Sequence, residues 1–449
     1  MAGNLVNFPT ALIEVLQDNS LEREFQDGLM SQLAYRAQAV QERLSTRAGE
    51  TLKKTRHGKK APLNAPVTPT SINSNLDNGL TPSTFAVEQY EFFIENYADS
   101  GDVNLVQETA GIQLQSLIVS KNNGTQAAQT QERIAHKKLF DAYMGGNSRV
   151  RTDLAASTTT TAAVDDVRGF EKVLVNGEPV TVTVATPILV TETGSVSQTL
   201  TVTSVTRDLV NASSAAAAGG VSGDIVFLAA TAPVDGDALV AVNGPRMFRP
   251  NGRTTTAQLV GSDLLSMSLI EDAVAYLRDN GIPAGEGGFY NCILDNTSMR
   301  QLYADQDFKL AFQGHGSEST YRDGRVVELL GVRYIPTTEA FVQPAGTGVN
   351  VRVRRPIIMG AEALIQGSYN GLREWLGQHN AMLIQEVMIV DEVAQIVRPP
   401  LDRLGQNCAF SWTWIGDFAV PSDLTATTAI IPTGSNALFK RCAVVEHAG

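Results

Sequence analysis

The chain has 449 residues, of which 43% are hydrophobic and 18% are charged, and its formal net charge is −12. That length and hydrophobic content are enough to bury a large core, so they exclude a mainly disordered chain. The charged fraction is below the ~25% usual for soluble domains, which indicates that much of the surface lies against neighbours. The acidic balance argues against attraction of the whole chain to nucleic acid, so any contact with DNA must be local.

The apolar runs and the cysteines indicate a soluble, intracellular protein. No apolar run approaches the roughly 18 residues that span a bilayer, and no basic residue precedes Arg23, so neither membrane contact nor secretion is expected. The chain has three cysteines, an odd number, and they lie far apart in the sequence, at Cys292, Cys408 and Cys442. This spacing argues against a disulfide framework or a paired-thiol zinc site and favours a reducing compartment.

The amino-terminal region predicts a long helix followed by a polar, extended segment. Apolar residues recur every three or four positions from Leu21 to Leu44, which draws one apolar stripe along a helix that needs a partner surface. Residues 51–83 are polar and cannot form a core of their own. Their basic residues fit either a solvated loop or an arm lying on an acidic neighbouring subunit; they include Lys53, Lys54, Lys59 and Lys60.

The next region changes from strands to a helix and then to a β-rich pattern. Residues 84–106 favour strands, and a second helix is expected from Thr125, as its N-cap, to Met144. Residues 152–163 are rich in Ala, Ser and Thr and mark a boundary. The period-two pattern of residues 170–247, with its Gly and Asp turns, predicts a small all-β module.

The second half predicts an α+β unit with a strand-rich end. The helical period returns from Ser262 to Asn280, and Asp295 or Asn296 caps a further helix. Strands are expected at 289–294, 329–335, 349–353, 356–359, 382–390 and 409–414. Aromatic residues alternate along the last strand and beyond it, so they are assigned to the core rather than to a stacking platform; they are Phe410, Trp412, Trp414 and Phe418.

Motifs that carry chemistry are not found. The sequence has no phosphate-binding loop, GxSxG elbow, HExxH helix, dinucleotide fingerprint or EF-hand loop in register. Its histidines have no metal-ligand spacing, and His315, between two glycines, is assigned to a flexible loop; the others are His57, His136, His379 and His447. Asp165-Asp166 and Asp235-Gly236-Asp237 could touch a cation, but turn chemistry explains both. No catalytic, cofactor-binding or metal-binding residue is therefore predicted.

An enzyme with a dispersed acidic site is a weaker alternative. Carboxylates can carry out acid-base chemistry, and candidates in the second half are Glu271, Asp272, Asp295, Asp305 and Asp307. Helix capping and solvated helix faces explain these residues better.

The order of the predicted elements resembles the major capsid proteins of tailed bacteriophages, which have the Hong Kong 97-type fold. The segments that carry the resemblance are residues 262–283, 289–309, 324–342, 356–369 and 399–420. Two local patterns match the family, a D-x-x-S-x-x-x-L helix and a G-V-x-x-x-x-T strand. They lie at Asp295, Ser298 and Leu302, and at Gly331, Val332 and Thr337.

The resemblance implies an α+β fold with a division into parts. Residues 1–50 would form an N-terminal helical arm and 51–100 an extended loop. Residues 101–150 and 255–320 would form the peripheral domain with its spine helix. Residues 320–449 would form the axial domain and C-terminal strands that return to the peripheral domain, and 165–250 an inserted all-β domain.

The resemblance also implies a function and partners. The chain would self-assemble through hexamers and pentamers into the icosahedral head of a tailed bacteriophage that encloses double-stranded DNA. It would need no cofactor, would contact no membrane and would bind DNA without sequence specificity. Further partners would be a portal and, in some relatives, scaffolding or decoration proteins.

The same fold leaves two further questions open at this stage. An encapsulin-like nanocompartment shell is the main alternative, although the inserted module and the length argue against it. Some relatives crosslink a loop lysine to an asparagine of the next subunit, and the lysines of residues 51–83 lie in a suitable loop. No partner asparagine or assisting acid can be identified, so solvated lysines are expected. The protein would be made in the bacterial host cytoplasm and reside in the virion.

Overall fold

The structure is a computed structural model, and it describes most of the chain after residue 19. Apart from isolated positions and short pieces between them, the described residues are 20–30, 34–44, 51–58, 87–104, 115–151, 160–175, 178–194, 197–207, 221–230, 233–242, 246–253, 256–313, 328–344, 351–369, 386–398, 404–421 and 441–449.

The described α-helices are short except for one. They are α1 (Ser20–Met30), α2 (Gln115–Met144), α3 (Met267–Asp279), α4 (Asn296–Ala304) and α5 (Gln306–Gln313). With 30 residues and a rise of about 1.5 Å per residue, α2 is roughly 45 Å long. Four 3₁₀ turns occur at Arg36–Gln38, Pro250–Gly252, Thr256–Gln258 and Glu286–Gly288.

The strands are mostly short. In the first half they are β1 (Val40–Leu44), β2 (Thr51–His57), β3 (Val87–Phe93), β4 (Glu95–Asn104), β5 (Asn147–Arg149), β6 (Thr161–Val164), β7 (Lys172–Val175), β8 (Glu178–Thr181), β9 (Ile188–Thr193), β10 (Gln198–Arg207), β11 (Gly223–Phe227), β12 (Ala238–Ala241) and β13 (Met247–Phe248). In the second half they are β14 (Tyr290–Asp295), β15 (Glu328–Leu329), β16 (Val332–Thr337), β17 (Val342–Pro344), β18 (Arg352–Arg354), β19 (Ile357–Met359), β20 (Ile365–Tyr369), β21 (Glu386–Val390), β22 (Val393–Arg398), β23 (Asn407–Ala419), β24 (Leu424–Thr425), β25 (Ala429–Ile430), β26 (Cys442–Val445) and β27 (His447–Ala448).

The first sheet lies against the long helix α2. Its order is β1-β20-β23-β22-β21, with β4 also paired to β23. Trp412, Trp414 and Phe418 project from β23 into a core that they share with Leu139 and Phe140 of α2. Side chains two residues apart share one face of a strand, so the prediction that these aromatic residues belong to the core is confirmed.

The third sheet carries the short helices of the second half. Its order is β13-β26-β19-β14-β16-β15, with β14 and β16 parallel. One face packs on α3, α4 and α5 through Leu277, Leu302 and Phe308. The other face contributes Ile293 and Ile357 to the core around α2. The mixed helix-and-sheet architecture predicted from the sequence is confirmed.

The second sheet is all-β and lies between the other two in sequence. Its order is β5-β12-β9-β10-β11-β6, and every pairing in it is antiparallel. It has a core of its own, which includes Val164, Phe170, Val190 and Leu239. The all-β structure predicted from the period-two pattern is therefore correct. The sheet also includes β5 and β6, which lie before residue 165. Whether the unit is an insertion domain stays a prediction.

The predicted helix from Leu21 to Leu44 is wrong beyond Met30. Residues 36–38 form a 3₁₀ turn, and Val40–Leu44 form a strand parallel to Ile365–Tyr369. Pairing at a sheet edge satisfies the backbone groups of residues 40–44 with partners distant in sequence. The helical spacing of their side chains does not reveal such partners.

Two helix starts also differ from the prediction. Helix α2 begins at Gln115, ten residues before the expected cap, and Thr125 donates a hydrogen bond to the Lys121 carbonyl inside the helix. Helix α3 begins at Met267 rather than after Ser262, and its first amide donates to Asp305 at 2.7 Å. In α3 a tertiary contact fixes the first turn, because the N-cap residue Ser266 makes no side-chain capping hydrogen bond.

The packing around residue 320 joins segments on both sides of that position, and the predicted division into domains stays a prediction. Helices α3 to α5, which lie before 320, share one core with β16, β19 and β26, which lie after it. Strands β20, β22 and β23 pack on α2 instead. The structure therefore groups 267–313 with parts of 328–359 and 442–445.

Candidate assembly site

An extended hairpin, formed by β2 and β3, projects from the first sheet and pairs with no third strand in the described part of the chain. Its register pairs Thr51 with Phe93 and His57 with Val87. At its root Tyr90 and Phe92 are buried, in a small apolar cluster with Ile365 and Ala419. Toward the far end Val87 is 49% exposed. The hairpin therefore contacts the rest of its subunit from Phe93 as far as Arg56, while Val87 is exposed.

Three carboxylates from separate elements contact the hairpin. Glu42 of β1 accepts a hydrogen bond from Lys54 and lies 3.4 Å from the Tyr90 hydroxyl. Glu362, in the loop after β19, accepts from Arg56 at 2.8 Å. Asp417 of β23 accepts from the Phe93 amide at 3.0 Å.

Asp417 is the most buried of the three carboxylates, with its side chain 3% exposed and Lys138 of α2 3.0 Å away. Burial raises the pKa of Asp417, and Lys138 acts against that rise. This residue joins the hairpin root, the first sheet and the long helix.

The amino-terminal segment crosses the long helix at a close backbone contact. A Cβ added to Gly124 would lie 2.4 Å from the Phe25 carbonyl oxygen, and one added to Gly28 would lie 2.5 Å from the Lys121 carbonyl oxygen. Phe25 and Leu29 are fully buried at this crossing. Only glycine permits the two helices to approach so closely.

A buried carboxylate of the long helix holds the turn that follows α1. Glu132 accepts hydrogen bonds from the backbone amides of Tyr35 at 2.8 Å and Arg36 at 2.9 Å. The Arg36 side chain bonds Gln131, Gln366 and Asp391. Burial raises the pKa of Glu132, and the hydrogen bonds that Glu132 accepts from backbone amides act against this rise. The chain thus leaves α1 in a fixed direction and enters the first sheet as β1.

Sequence reasoning missed Glu132, Arg36, Glu42 and Asp417. A signal for two of them exists. Glu132 follows Ala128 by four residues on the apolar face of α2, and Asp417 is the one charged residue between Cys408 and Val420. A lone charge on a buried face requires a partner.

The acidic residues considered for an enzyme do not converge. Asp295 caps α4 by accepting from Thr297 and Ser298, and Asp305 accepts from the first amide of α3. Glu271, Asp272 and Asp307 are exposed. The capping role predicted for Asp295 is confirmed.

Asp295, Ser298 and His447 are in contact, but in an order unlike a hydrolytic triad. Ser298 Oγ lies 2.7 Å from His447 Nε2 and donates to Asp295. In a triad the imidazole lies between the hydroxyl and the carboxylate, whereas here the hydroxyl lies between the other two. Ser298 and His447 have no exposed surface, and burial lowers the pKa of His447 to about 4. The contacts fix the carboxyl-terminal strand against α4.

The two predicted aspartate pairs have different environments. Asp237 accepts from the Val234 amide at 3.1 Å in a tight turn at Gly236, whose φ is +88°, as turn chemistry predicts. Asp165 and Asp166 instead lie buried beside Arg149 and Arg168, so a simple turn does not describe them. Within the described residues, no group of His, Cys, Asp and Glu is arranged to hold a metal ion.

Glu446 lies in a buried ion cluster between the second and third sheets. It bonds Arg249 at 2.6 Å and Arg355 at 2.8 Å beside a cavity of about 40 Å³. Burial acts to raise the pKa of Glu446, but the two guanidinium groups outweigh it and lower the pKa to about 2. The cluster holds the carboxyl-terminal strand region to Arg249 and Arg355 through buried ion pairs.

The structure describes some of the lysines considered for crosslinking and not others. Lys54 pairs with Glu42 of its own subunit, and Lys60 is exposed. The Lys53 side chain, Lys59, His315 and His379 lie outside the described residues. That these lysines form no crosslink stays a prediction.

None of the described helices combines the length and the apolar character needed to cross a bilayer. The 30-residue α2 carries polar and charged residues along its length.

Comparison with known proteins gives matches among solved structures only. No family model matches the sequence, and no curated protein matches it. The capsid of Ralstonia phage GP4 has 10% identity and a TM-score of 0.49, and the match covers 94% of this chain and 92% of that one. The cyanophage Pam1 capsid has 11% identity, coverage of 90% and 86%, and a TM-score of 0.46. The capsid of cyanophage P-SCSP1u has 11% identity, coverage of 93% and 88%, and a TM-score of 0.44.

These matched structures are phage capsids, the class of protein that the sequence resembles. In the described part of the chain a short amino-terminal helix, an extended hairpin, a long helix and a strand-rich α+β end follow one another.

Proposed function

We propose that this chain is the major capsid protein of a tailed bacteriophage and that its copies assemble into the icosahedral head. The extended hairpin is the observation that carries the proposal. A two-stranded hairpin is at best marginally stable alone in water, and the Val87 side chain of this one is 49% exposed. A neighbouring copy that covers this exposed surface would add contacts to those that the hairpin makes with its own subunit.

The charge distribution supports self-association. Copies that carry a net charge of −12 repel one another at long range, so contacts must place basic and acidic groups opposite each other or be uncharged. The hairpin strand β2 carries basic residues, Lys53, Lys54 and Arg56. Because Lys54 and Arg56 pair with Glu42 and Glu362 of their own subunit, they would meet an acidic neighbour only by exchanging these partners.

The enclosed double-stranded DNA would be held without sequence-specific contacts. An acidic wall avoids fixing the genome tightly, because phosphate contacts by Lys and Arg dominate affinity for DNA. Hexamers and pentamers would build the shell, with a portal and, in some relatives, scaffolding or decoration proteins as further partners. Synthesis would take place in the host cytoplasm and the product would reside in the virion, with a structural rather than enzymatic role.

Electron microscopy of the purified protein, combined with its sedimentation profile, tests the proposal. Closed shells or large tubular assemblies are expected, and their nucleic-acid content distinguishes a phage head from an enzyme-filled compartment. A small particle whose mass does not change with concentration would refute the proposal.

A further inference from the structure

The apolar contacts of the extended hairpin do not by themselves set its direction. Tyr90 and Phe92 bury their rings against Ile365 and Ala419, and apolar burial is non-directional. Hydrogen bonds to carboxylates depend on distance and angle and are stronger than neutral ones. The direction of the hairpin is therefore set by its polar contacts with the rest of the subunit.

These contacts come from both strands of the hairpin and reach three separate elements. Lys54 and Arg56 are two residues apart on β2, so their side chains leave the same face, and they reach Glu42 and Glu362 respectively. On β3 the Phe93 amide reaches Asp417. Three points that do not lie on one element fix an orientation, which one or two points cannot do.

We propose that Glu42, Glu362 and Asp417 form a latch that holds the extended hairpin at a defined angle on its own subunit and can release it. Asp417 is the pivot of the latch, since it is buried and also bonds Lys138 of the long helix. Glu42 and Glu362 are its catches. The use of the latch in assembly rests on the proposed capsid function, whereas the latch itself does not.

The two ion pairs made by the catches, Glu42 with Lys54 and Glu362 with Arg56, can break. The Glu362 side chain is 54% exposed and is shared between Arg56 at 2.8 Å and Arg441 at 3.0 Å. Glu42 and Lys54 are partly exposed, at 26% and 34%. Exposed ion pairs are weak and are screened by salt, so both catches can exchange their partners while the pivot stays in place. When Arg56 leaves, Glu362 keeps Arg441 as its partner.

Hydrogen exchange on unassembled subunits tests the latch. In the variant E42Q/E362Q the amides of 51–57 and 87–93 are expected to exchange about fivefold faster than in the wild type, because two weak pairs are lost. The matched control is D102N/D272N, which removes two exposed carboxylates of β4 and α3 that lie off the hairpin. It should leave hairpin exchange unchanged. High salt should bring the wild type toward the E42Q/E362Q rate.

A second variant keeps the test decisive. D417N retains an oxygen that can accept from the Phe93 amide but loses the charge opposite Lys138, so faster exchange should extend from the hairpin to β23. Hairpin exchange that is unchanged in both variants, and insensitive to salt, would overturn the latch. Subunits that show the latch but never form shells would refute the proposed function and leave the latch intact.

Discussion

Replacing Glu132 by alanine is expected to lower the free energy of unfolding by about 4 kcal/mol. The carboxylate has no exposed surface and accepts from the amides of Tyr35 and Arg36 at 2.8 and 2.9 Å. Each buried N–H group left without an acceptor costs roughly 1–3 kcal/mol, so two such groups together cost about 4 kcal/mol. The loss should fall on the turn that joins α1 to β1.

Glu132→Gln is the matched variant for this test. Glutamine has the same length but only one acceptor oxygen, so one of the two amides keeps its partner. The expected loss is about half as large, roughly 2 kcal/mol. Lys137→Ala, on the exposed face of the same helix, should change stability by less than about 0.5 kcal/mol.

Urea unfolding of unassembled subunits measures these differences, and hydrogen exchange at the amides of Tyr35 and Arg36 locates them. In the alanine variant both amides should lose protection before the core of α2 does. An alanine variant within about 0.5 kcal/mol of the wild type, or a glutamine variant as unstable as the alanine one, would refute the reasoning.

Three further predictions concern packing, the second sheet and pH. Gly124→Ala should destabilise by about 1–3 kcal/mol through overpacking, since its Cβ would meet a backbone oxygen at 2.4 Å; stabilisation measured by urea unfolding would show that the crossing is looser. The second change replaces residues 147–243 by a short linker and also includes Asp141→Asn. The two ends of the deleted segment lie close together, because the Gly146 oxygen is 3.4 Å from a Cβ built on Gly244, so circular dichroism should show a folded protein. An unfolded product would contradict this. Burial lowers the pKa of His136 and His447 from 6.5 to about 4. Their contribution to the free energy of unfolding is therefore complete above pH 6.5. It falls by roughly 3 kcal/mol for each histidine as the pH drops from 6.5 to 4, and a stability unchanged between pH 7 and 4.5 would be evidence against it.

The parts of the fold that sequence reasoning predicted correctly depend on local patterns. Asp295 caps α4, alternating aromatic residues line β23, and period-two residues form the second sheet. In each case the signal and the structure lie in the same segment. In these segments local propensity and tertiary packing favour the same structure, so a prediction from the local pattern is correct.

The parts that failed depend on partners distant in sequence. Val40–Leu44 keep a helical spacing but pair with residues 365–369, more than 300 positions away. The same distance hides the assembly site, because Asp417 meets Phe93 and Lys138 only in the folded chain. A lone acidic residue in an apolar segment marks the position but not its partner.

The cysteines bear on how such a protein would tolerate a change of chemical surroundings. All three are free and buried, and burial raises the pKa of the Cys292 and Cys442 thiols to about 12. Because the thiolate is the form that reacts with oxidants, these side chains remain inert while the protein stays folded. In a particle built from this chain, the thiols would stay unmodified both in a reducing cell and in an oxygenated medium.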